Sequence, residues 1–362
     1  MKHHIIFIGN KFVHNRALRE YILRQIEKKI LFADSITYFK DGDNSLFLYL
    51  QQEINQASKL IIVSTKQNFS TIGKLISTVT GDNQILKENI LIPSNATVYE
   101  DGSYLLEHKE AIINVLHIDE MQKMPEILLE SSEASVQIHL FDEDKESAIA
   151  MLSPLSQMYE VNFDVSTLVE GWLLIDVTSN KYGNISKFIN SAKQLLPNKL
   201  ITAPNIILHI IDKLSKNQKK LTFAESCTGG LLSYYFTSQN GASKILDGAL
   251  ITYSNELKEN WLGVDETIMS AHGAVSFEVV QEMSEGALNV SHADYALSVS
   301  GIAGDTGGTE QKPVGTVYIG IRSQKEHKEV RLQLSGDRNY VQHQSALYAI
   351  KMLILIDREI FF

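Results

Sequence analysis

A serine attacks a carbonyl only when a base takes its proton, so the first segments to find are those that expose a serine and could supply that base. Ala224-Glu225-Ser226-Cys227-Thr228-Gly229-Gly230-Leu231-Leu232 is such a segment. A short apolar run leads into a small, hydroxyl-rich turn with two glycines and then into a helical pattern. That order predicts Ser226 at a strand-to-helix turn, with nearby backbone N–H groups able to bind an oxyanion. The same residue types also suit an ordinary helix N-cap. The base has to come from elsewhere, because the 11 histidines accompany no Gly-x-Ser-x-Gly elbow. The strand-like Gly248–Ile251 ends in a polar turn that carries Tyr253 and Lys258. Burial lowers a lysine pKa towards that of a base, and a tyrosine can relay a proton. Spacing alone does not bring either residue to Ser226, and most lysines are solvated surface charges.

A third segment, Ser298 to Gly308, runs from a buried strand into a loop with four glycines. Such a loop lets backbone amides approach an anionic or planar ligand closely. It lacks the glycine and lysine spacing of a Walker A loop or a dinucleotide fingerprint, and a plain turn would look similar. Its place beyond the carboxyl end of a strand is where open α/β sheets bind ligands.

The elements around these residues divide the 362-residue chain into three parts. Residues 1–134 alternate strand and helix patterns: a strand at Ile5–Ile8, helices at Asn15–Lys29 and Leu46–Ala57, a buried strand at Leu60–Val63 and a helix at Asp119–Leu129. This predicts a doubly wound α/β domain. Residues 135–203 read as a small α+β unit, with strands at Val136–Phe141 and Trp172–Val177 and helices at Lys145–Gln157 and Ile185–Leu196. Residues 204–362 form a second α/β domain, opened by a helix at Asn205–Leu214 and closed by one at Asn339–Ile356.

Hydrophobic residues make up 44% and charged residues 21%, the profile of a globular protein. No run approaches the ~18 apolar residues of a membrane span. The apolar start of the chain stops at Gly9, which fits a first strand better than a signal peptide. A single cysteine, Cys227, excludes an intrachain disulfide and a cysteine-based zinc site, and suits a reducing cytoplasm. The net charge of −10 argues against a general nucleic-acid binder.

Taken in order, Ala224–Leu232, Thr252–Lys258, Ala271–Ser276, Gly301–Gly304, Lys312–Val317 and Gly336-Asp337-Arg338 resemble the C-terminal domain of the CinA family. The resemblance implies a nicotinamide-nucleotide amidase of α/β/α fold with no cofactor and no metal. It further implies Ser226 as nucleophile, Lys258 as general base and Tyr253 as assisting hydroxyl. Glu225, Thr228, Gly229, Ser300, Gly301, Ile302, Ala303, Gly304 and Arg338 would bind the substrate, with Arg338 on its phosphate. A surface ion pair with Asp337 is the alternative for Arg338. Two positions depart from the pattern: Ser300 where threonine is usual, and Asp305 where proline is common, which puts a negative charge near the expected phosphate site.

The resemblance extends the expectation to the remaining parts: a molybdopterin-binding-like domain at 1–134, a KH-type linker at 135–203, a homodimer and a cytoplasmic setting. Some relatives carry an ADP-ribose pyrophosphatase in the first domain. Here the Gly-Gly-Leu-Gly-Pro-Thr-x-Asp-Asp loop of that domain is replaced by Ser64-Thr65-Lys66-Gln67-Asn68-Phe69-Ser70. Without paired aspartates there is little to hold metal ions against a diphosphate, so the domain reads as degenerate. Asp41, Asp43 and Asp82 are the remaining acidic candidates, better explained as scattered surface charges. The alternative to an amidase is a nucleotide-binding or partner-binding protein that has lost its activity.

Overall fold

The aliphatic runs near the N-terminus form strands buried on both faces, as parallel strands covered by helices must be. β1 (Lys2–Ile8) lies between β2 (Ser35–Phe39) and β3 (Ser58–Ser64), parallel to both. The computed structural model describes residues 2–30, 33–87, 90–130, 134–304 and 306–362. It divides into two units, Met1–Ala134 and Ser135–Phe362.

In the first unit, β4 (Gln84–Lys87) and β5 (Ile90–Pro93) form a separate antiparallel pair. β6 (Ala96–Glu100), β7 (Ser103–His108) and β8 (Ala111–His117) complete a six-stranded sheet in the order β2-β1-β3-β8-β7-β6. Ile6, Ile8, Leu60 and Ile62 pack with the helices Leu46–Ile54 and Lys66–Thr80. Ile5, Phe7, Ile61 and Val63 pack on the other face with Phe12, Ile22 and Ile26. The two-sided winding follows the sequence pattern, but β6 and β7 run antiparallel, so the sheet is mixed and not purely parallel.

The expected helix at Asp119–Leu129 does not form. Pro125 interrupts it, and the chain stays irregular while Asn114 Oδ1 accepts from the N–H groups of Leu128 (2.8 Å) and Leu129 (3.3 Å). Buried Ile127 and Leu129 still reach the core without helical periodicity.

The second unit holds two sheets. β9 (Ala134–Phe141), β10 (Asn162–Val169), β11 (Trp172–Ser179) and β12 (Leu200–Thr202) pair in the order β10-β11-β9-β12. The helices Lys145–Tyr159 and Ile185–Leu195 cover them. The larger sheet contains β13 (Leu221–Glu225), β14 (Leu246–Ile251), β15 (Tyr295–Gly301), β16 (Thr316–Ser323) and β17 (His327–Gln333), in the order β14-β13-β15-β16-β17. β13, β14 and β15 are parallel, whereas β16 and β17 are antiparallel.

One face of this sheet packs Phe223 and Leu297 against the helices Ile206–Lys216, Leu231–Thr237 and Arg338–Ile356. The other packs Ala224 and Ala296 against Val279, Met283 and Ala287 of the helix Phe277–Ser291. The first of these cores continues into the smaller sheet through Phe141, Val169 and Trp172.

Trp172 is fully buried, stacks on Phe141 at 5.3 Å and donates through Nε1 to His139 Nδ1 at 3.2 Å. Truncating a buried aromatic of this kind costs about 3–5 kcal/mol. Trp172→Ala is expected to lower the unfolding free energy of the chain by that amount in urea titration. A loss below about 1 kcal/mol, the range of a surface substitution, would show that the two sheets do not share this core.

Candidate active site

Ser226 follows the carboxyl end of β13, the strand between β14 and β15, and its N–H donates to Val299 O on β15 at 2.9 Å. The turn that carries it is held from behind by Glu225. The buried Glu225 carboxylate accepts from the N–H groups of Gly230 (3.0 Å), Leu232 (3.1 Å) and Ser233 (2.8 Å). These are orphan donors at the start of the helix Leu231–Thr237, whose N-cap, Gly230, has no side chain to satisfy them. An anion is also the charge that a helix N-terminus favours. Glu225 therefore holds the turn that carries Ser226, with both oxygens on backbone N–H groups and the side chain fully buried, in place of the ligand contact expected of it.

Lys258 lies in the first turns of the helix Asn255–Leu262, which Ser254 caps by accepting from Leu257 N at 3.2 Å. Its side chain runs back towards the helix start and is only 1% exposed. Nζ lies 3.1 Å from Ser226 Oγ and also donates to the carbonyls of Thr252 (2.9 Å) and Tyr253 (3.4 Å). Among the described residues no carboxylate pairs with it. Burial holds the amine below the usual lysine range. With two N–H groups on carbonyls, a Lys258 that has given up its proton would direct its lone pair at the serine hydroxyl, as a general base requires.

The third member of the expected set is placed differently. Tyr253 is 59% exposed, and its hydroxyl accepts from Arg338 Nη2 at 2.6 Å, with no bond to Ser226 or Lys258. Arg338 thus reaches Tyr253 and not Asp337, whose carboxylate caps Tyr340 N at 2.8 Å.

The backbone N–H groups of the serine turn are unequally occupied. The Gly229 N–H is taken by Ser226 O at 3.1 Å, whereas the N–H groups of Cys227 and Thr228 meet no acceptor among the described residues. The buried Thr228 hydroxyl has no partner among them either. In the glycine loop, Ile302 is occupied at both ends: its N–H donates to Thr316 O (2.9 Å) and its carbonyl accepts from Gly315 N (2.7 Å). The N–H groups of Ala303 and Gly304 meet no acceptor among the described residues. Gly301 is required by close packing, since a Cβ there would stand 2.8 Å from Val317 Cγ2 and 3.1 Å from Cys227 Sγ. Ser300 is buried and donates to Ala274 O at 2.7 Å, which fixes a neighbouring loop in place of a ligand contact. Asp305 lies outside the described residues.

Residues 205–356 match the family model of the CinA C-terminal domain. A putative competence-damage inducible protein of Thermoanaerobacter sp. (strain X514) is 34% identical over 227 residues, covering 60% of this chain and 54% of that protein. A CinA-like protein of Thermotoga maritima is 48% identical over 145 residues, covering 40% of this chain and 35% of that protein. The chain therefore spans about half, or a third, of the length of these relatives. Among solved structures, the competence/damage inducible protein CihA of Agrobacterium tumefaciens is 32% identical, with 42% of this chain and 93% of that chain covered, at a TM-score of 0.41. The competence damage-inducible protein A (ComA) of Klebsiella pneumoniae is 35% identical over 41% of this chain and 92% of its own, at a TM-score of 0.40. The chain belongs to the CinA family.

Two further residues of this CinA family chain support the site without having been legible as chemistry. Gln342 Nε2 donates to the carbonyl of Cys227 at 2.7 Å and so fixes the peptide next to the nucleophile. Lys312 Nζ donates to His272 O (2.6 Å) and Val275 O (2.7 Å), tying the segment after the glycine loop to the turn at residues 272–276. A glutamine at helical spacing carries no signal for the first, and Lys312 was visible only inside a longer family motif.

Among the described residues no group of three or more histidine, cysteine or acidic side chains could hold a metal ion. Asp41 accepts from Asn68 Nδ2 at 2.7 Å and Asp43 from Ser45 Oγ at 2.6 Å in the turn after β2, while Asp82 accepts from Ser94 Oγ at 2.6 Å elsewhere. No described helix is long and apolar enough to cross a membrane.

The buried amine makes stability depend on pH with a definite sign. Lys258 holds its proton less firmly when folded, so the unfolded chain binds more protons as pH rises from the folded pKa to the ordinary lysine value of about 10.4. The folded state gains stability over that window. Unfolding free energies of the wild type are expected to rise relative to those of Lys258→Met as pH rises through it. Parallel curves would mean that the amine is not perturbed.

Proposed function

We propose that the chain hydrolyses the carboxamide of nicotinamide mononucleotide to nicotinate mononucleotide and ammonia. The observation that carries this reading is the 3.1 Å approach of Lys258 Nζ to Ser226 Oγ with the amine buried and without a carboxylate partner among the described residues. Ser226 Oγ attacks the carboxamide carbon while Lys258 Nζ takes its proton. The carbonyl electrons move to oxygen, and the N–H groups of Cys227 and Thr228 are the free donors for that charge. When the intermediate collapses, the C–N bond breaks and the Lys258 ammonium returns the proton to the leaving nitrogen, giving ammonia. Water, deprotonated by the same amine, then opens the Ser226 ester and releases the acid, and the serine recovers its proton.

The neighbouring Cys227 does not compete as nucleophile, because burial pushes its thiol up to about 12 and leaves it protonated at neutral pH. Arg338, a guanidinium paired with no carboxylate among the described residues, is the group for the nucleotide phosphate. The family membership supports the reading, as does the match at residues 205–356 that contains every one of these residues.

Ammonia release from nicotinamide mononucleotide tests it. The wild type is expected to release ammonia, and Ser226→Ala to release none. Lys258→Met is expected to lose about 10²–10⁴-fold in kcat, the range of a general base. The wild-type rate should fall as pH drops and Lys258 takes up its proton. Absence of ammonia from the folded wild type, or undiminished release from Ser226→Ala, would refute the proposal.

A further inference from the structure

Tyr253 and Arg338 meet across the site as two exposed side chains. The phenol is 59% exposed, the arginine is exposed, and they lie 85 residues apart, yet Nη2 donates to the tyrosine hydroxyl at 2.6 Å. Arg338 is the first residue of the helix Arg338–Ile356, and its guanidinium lies against the glycine loop. A Cβ on Gly304 would stand 3.1 Å from Nη1, so glycine at that position makes the room. Among the described residues the guanidinium has no anionic partner. A cation built to take a planar, bidentate anion is held on a neutral hydroxyl, the weaker of the two kinds of acceptor.

Resting on the amidase reading, we propose that the Arg338–Tyr253 hydrogen bond is a latch that the substrate's phosphate opens. A phosphate monoester binds the guanidinium more strongly than a phenol does, so the anion displaces Tyr253. The released ring is free to turn its hydroxyl towards Ser226 and Lys258. Its backbone carbonyl already meets Lys258 Nζ at 3.4 Å, so the side chain is attached beside the amine. The phosphate then does more than hold the substrate: it sets the position of a side chain at the reacting end. An anion that binds only the open arrangement shifts the equilibrium by its differential affinity, which for coupled sites is typically about 5- to 150-fold.

Tyr253 is on this account a positioning residue governed by Arg338, and the test separates the latch from the amidase. With 3-fluorotyrosine introduced at position 253 of the full chain, inorganic phosphate is titrated and the fluorine resonance followed. The resonance is expected to shift and saturate in the wild-type background. In Arg338→Ala, which removes the latch, it should start near the phosphate-bound position and not move. A resonance indifferent to phosphate in the wild type overturns the latch and leaves the amidase untouched.

The catalytic arm uses nicotinamide riboside, which lacks the phosphate, with and without phosphite dianion. Phosphite is expected to raise wild-type kcat/KM on the riboside about 5- to 150-fold, and to have no effect on Tyr253→Phe or Arg338→Ala. Equal activation of wild type and Tyr253→Phe would mean that the anion acts without the tyrosine and would overturn the proposal. If the folded wild type hydrolyses neither compound, the amidase reading fails while the fluorine titration still decides the latch.

Discussion

Burying an amine without an anion to accompany it is costly, because desolvation penalises the ammonium and nothing in the interior repays it. Lys258 is buried in this way, with two backbone carbonyls and a serine hydroxyl as the hydrogen-bond partners of its nitrogen among the described residues. The neutral form escapes most of that penalty, and the neutral form is what a serine needs beside it. The rest of the site can be understood as what keeps this amine dry and aimed. The end of β14 brings Thr252 and Tyr253 to the pocket, Ser254 starts the helix that carries Lys258, and β13 delivers Ser226 opposite.

Two helix starts face the nucleophile and act in opposite senses. At one, Glu225 places a carboxylate on three N–H groups of the helix Leu231–Thr237, a favourable match of anion and dipole. At the other, Lys258 places an amine in the first turns of the helix Asn255–Leu262, where the same dipole disfavours a cation. One field anchors the turn that holds the serine, and the other acts in the same direction as burial, which lowers the proton affinity of the amine. Both effects come from short helices that follow parallel strands of one sheet, the place where open α/β folds build their sites. The buried Cys227 between them remains a neutral thiol, so the chemistry stays with Ser226.

Much of this was legible in the sequence because it follows from local pattern. The buried runs at Ile5–Ile8 and Leu60–Val63 read as covered strands, and they form β1 and β3. Ser226 was placed at its strand-to-helix turn by the order of apolar, hydroxyl and glycine residues. Less legible were features decided by distant parts of the chain. Pro125 and the Asn114 side chain override the helical pattern of Asp119–Leu129, and the antiparallel pairing of β6 and β7 leaves no mark in periodicity. Within the site, the family resemblance implied ligand contacts for Glu225, Ser300 and Arg338. Only tertiary placement assigns the first two to backbone N–H and carbonyl groups and sets the third on Tyr253. The meeting of Lys258 with Ser226 across 32 residues belongs to the same class, since residue type offered Lys258 as a candidate but spacing could not bring it to the serine.

The ionisation of Lys258 is the point on which the account turns, and it is directly measurable. With lysines labelled at the ε-carbon, the resonance of Lys258, assigned by its loss in Lys258→Met, is followed against pH. The account expects it to titrate clearly below the remaining lysines, with the amine largely neutral where the others are still charged. A Lys258 resonance that titrates together with the exposed lysines, near the ordinary value of about 10.4, would contradict the central claim and leave Ser226 without its base.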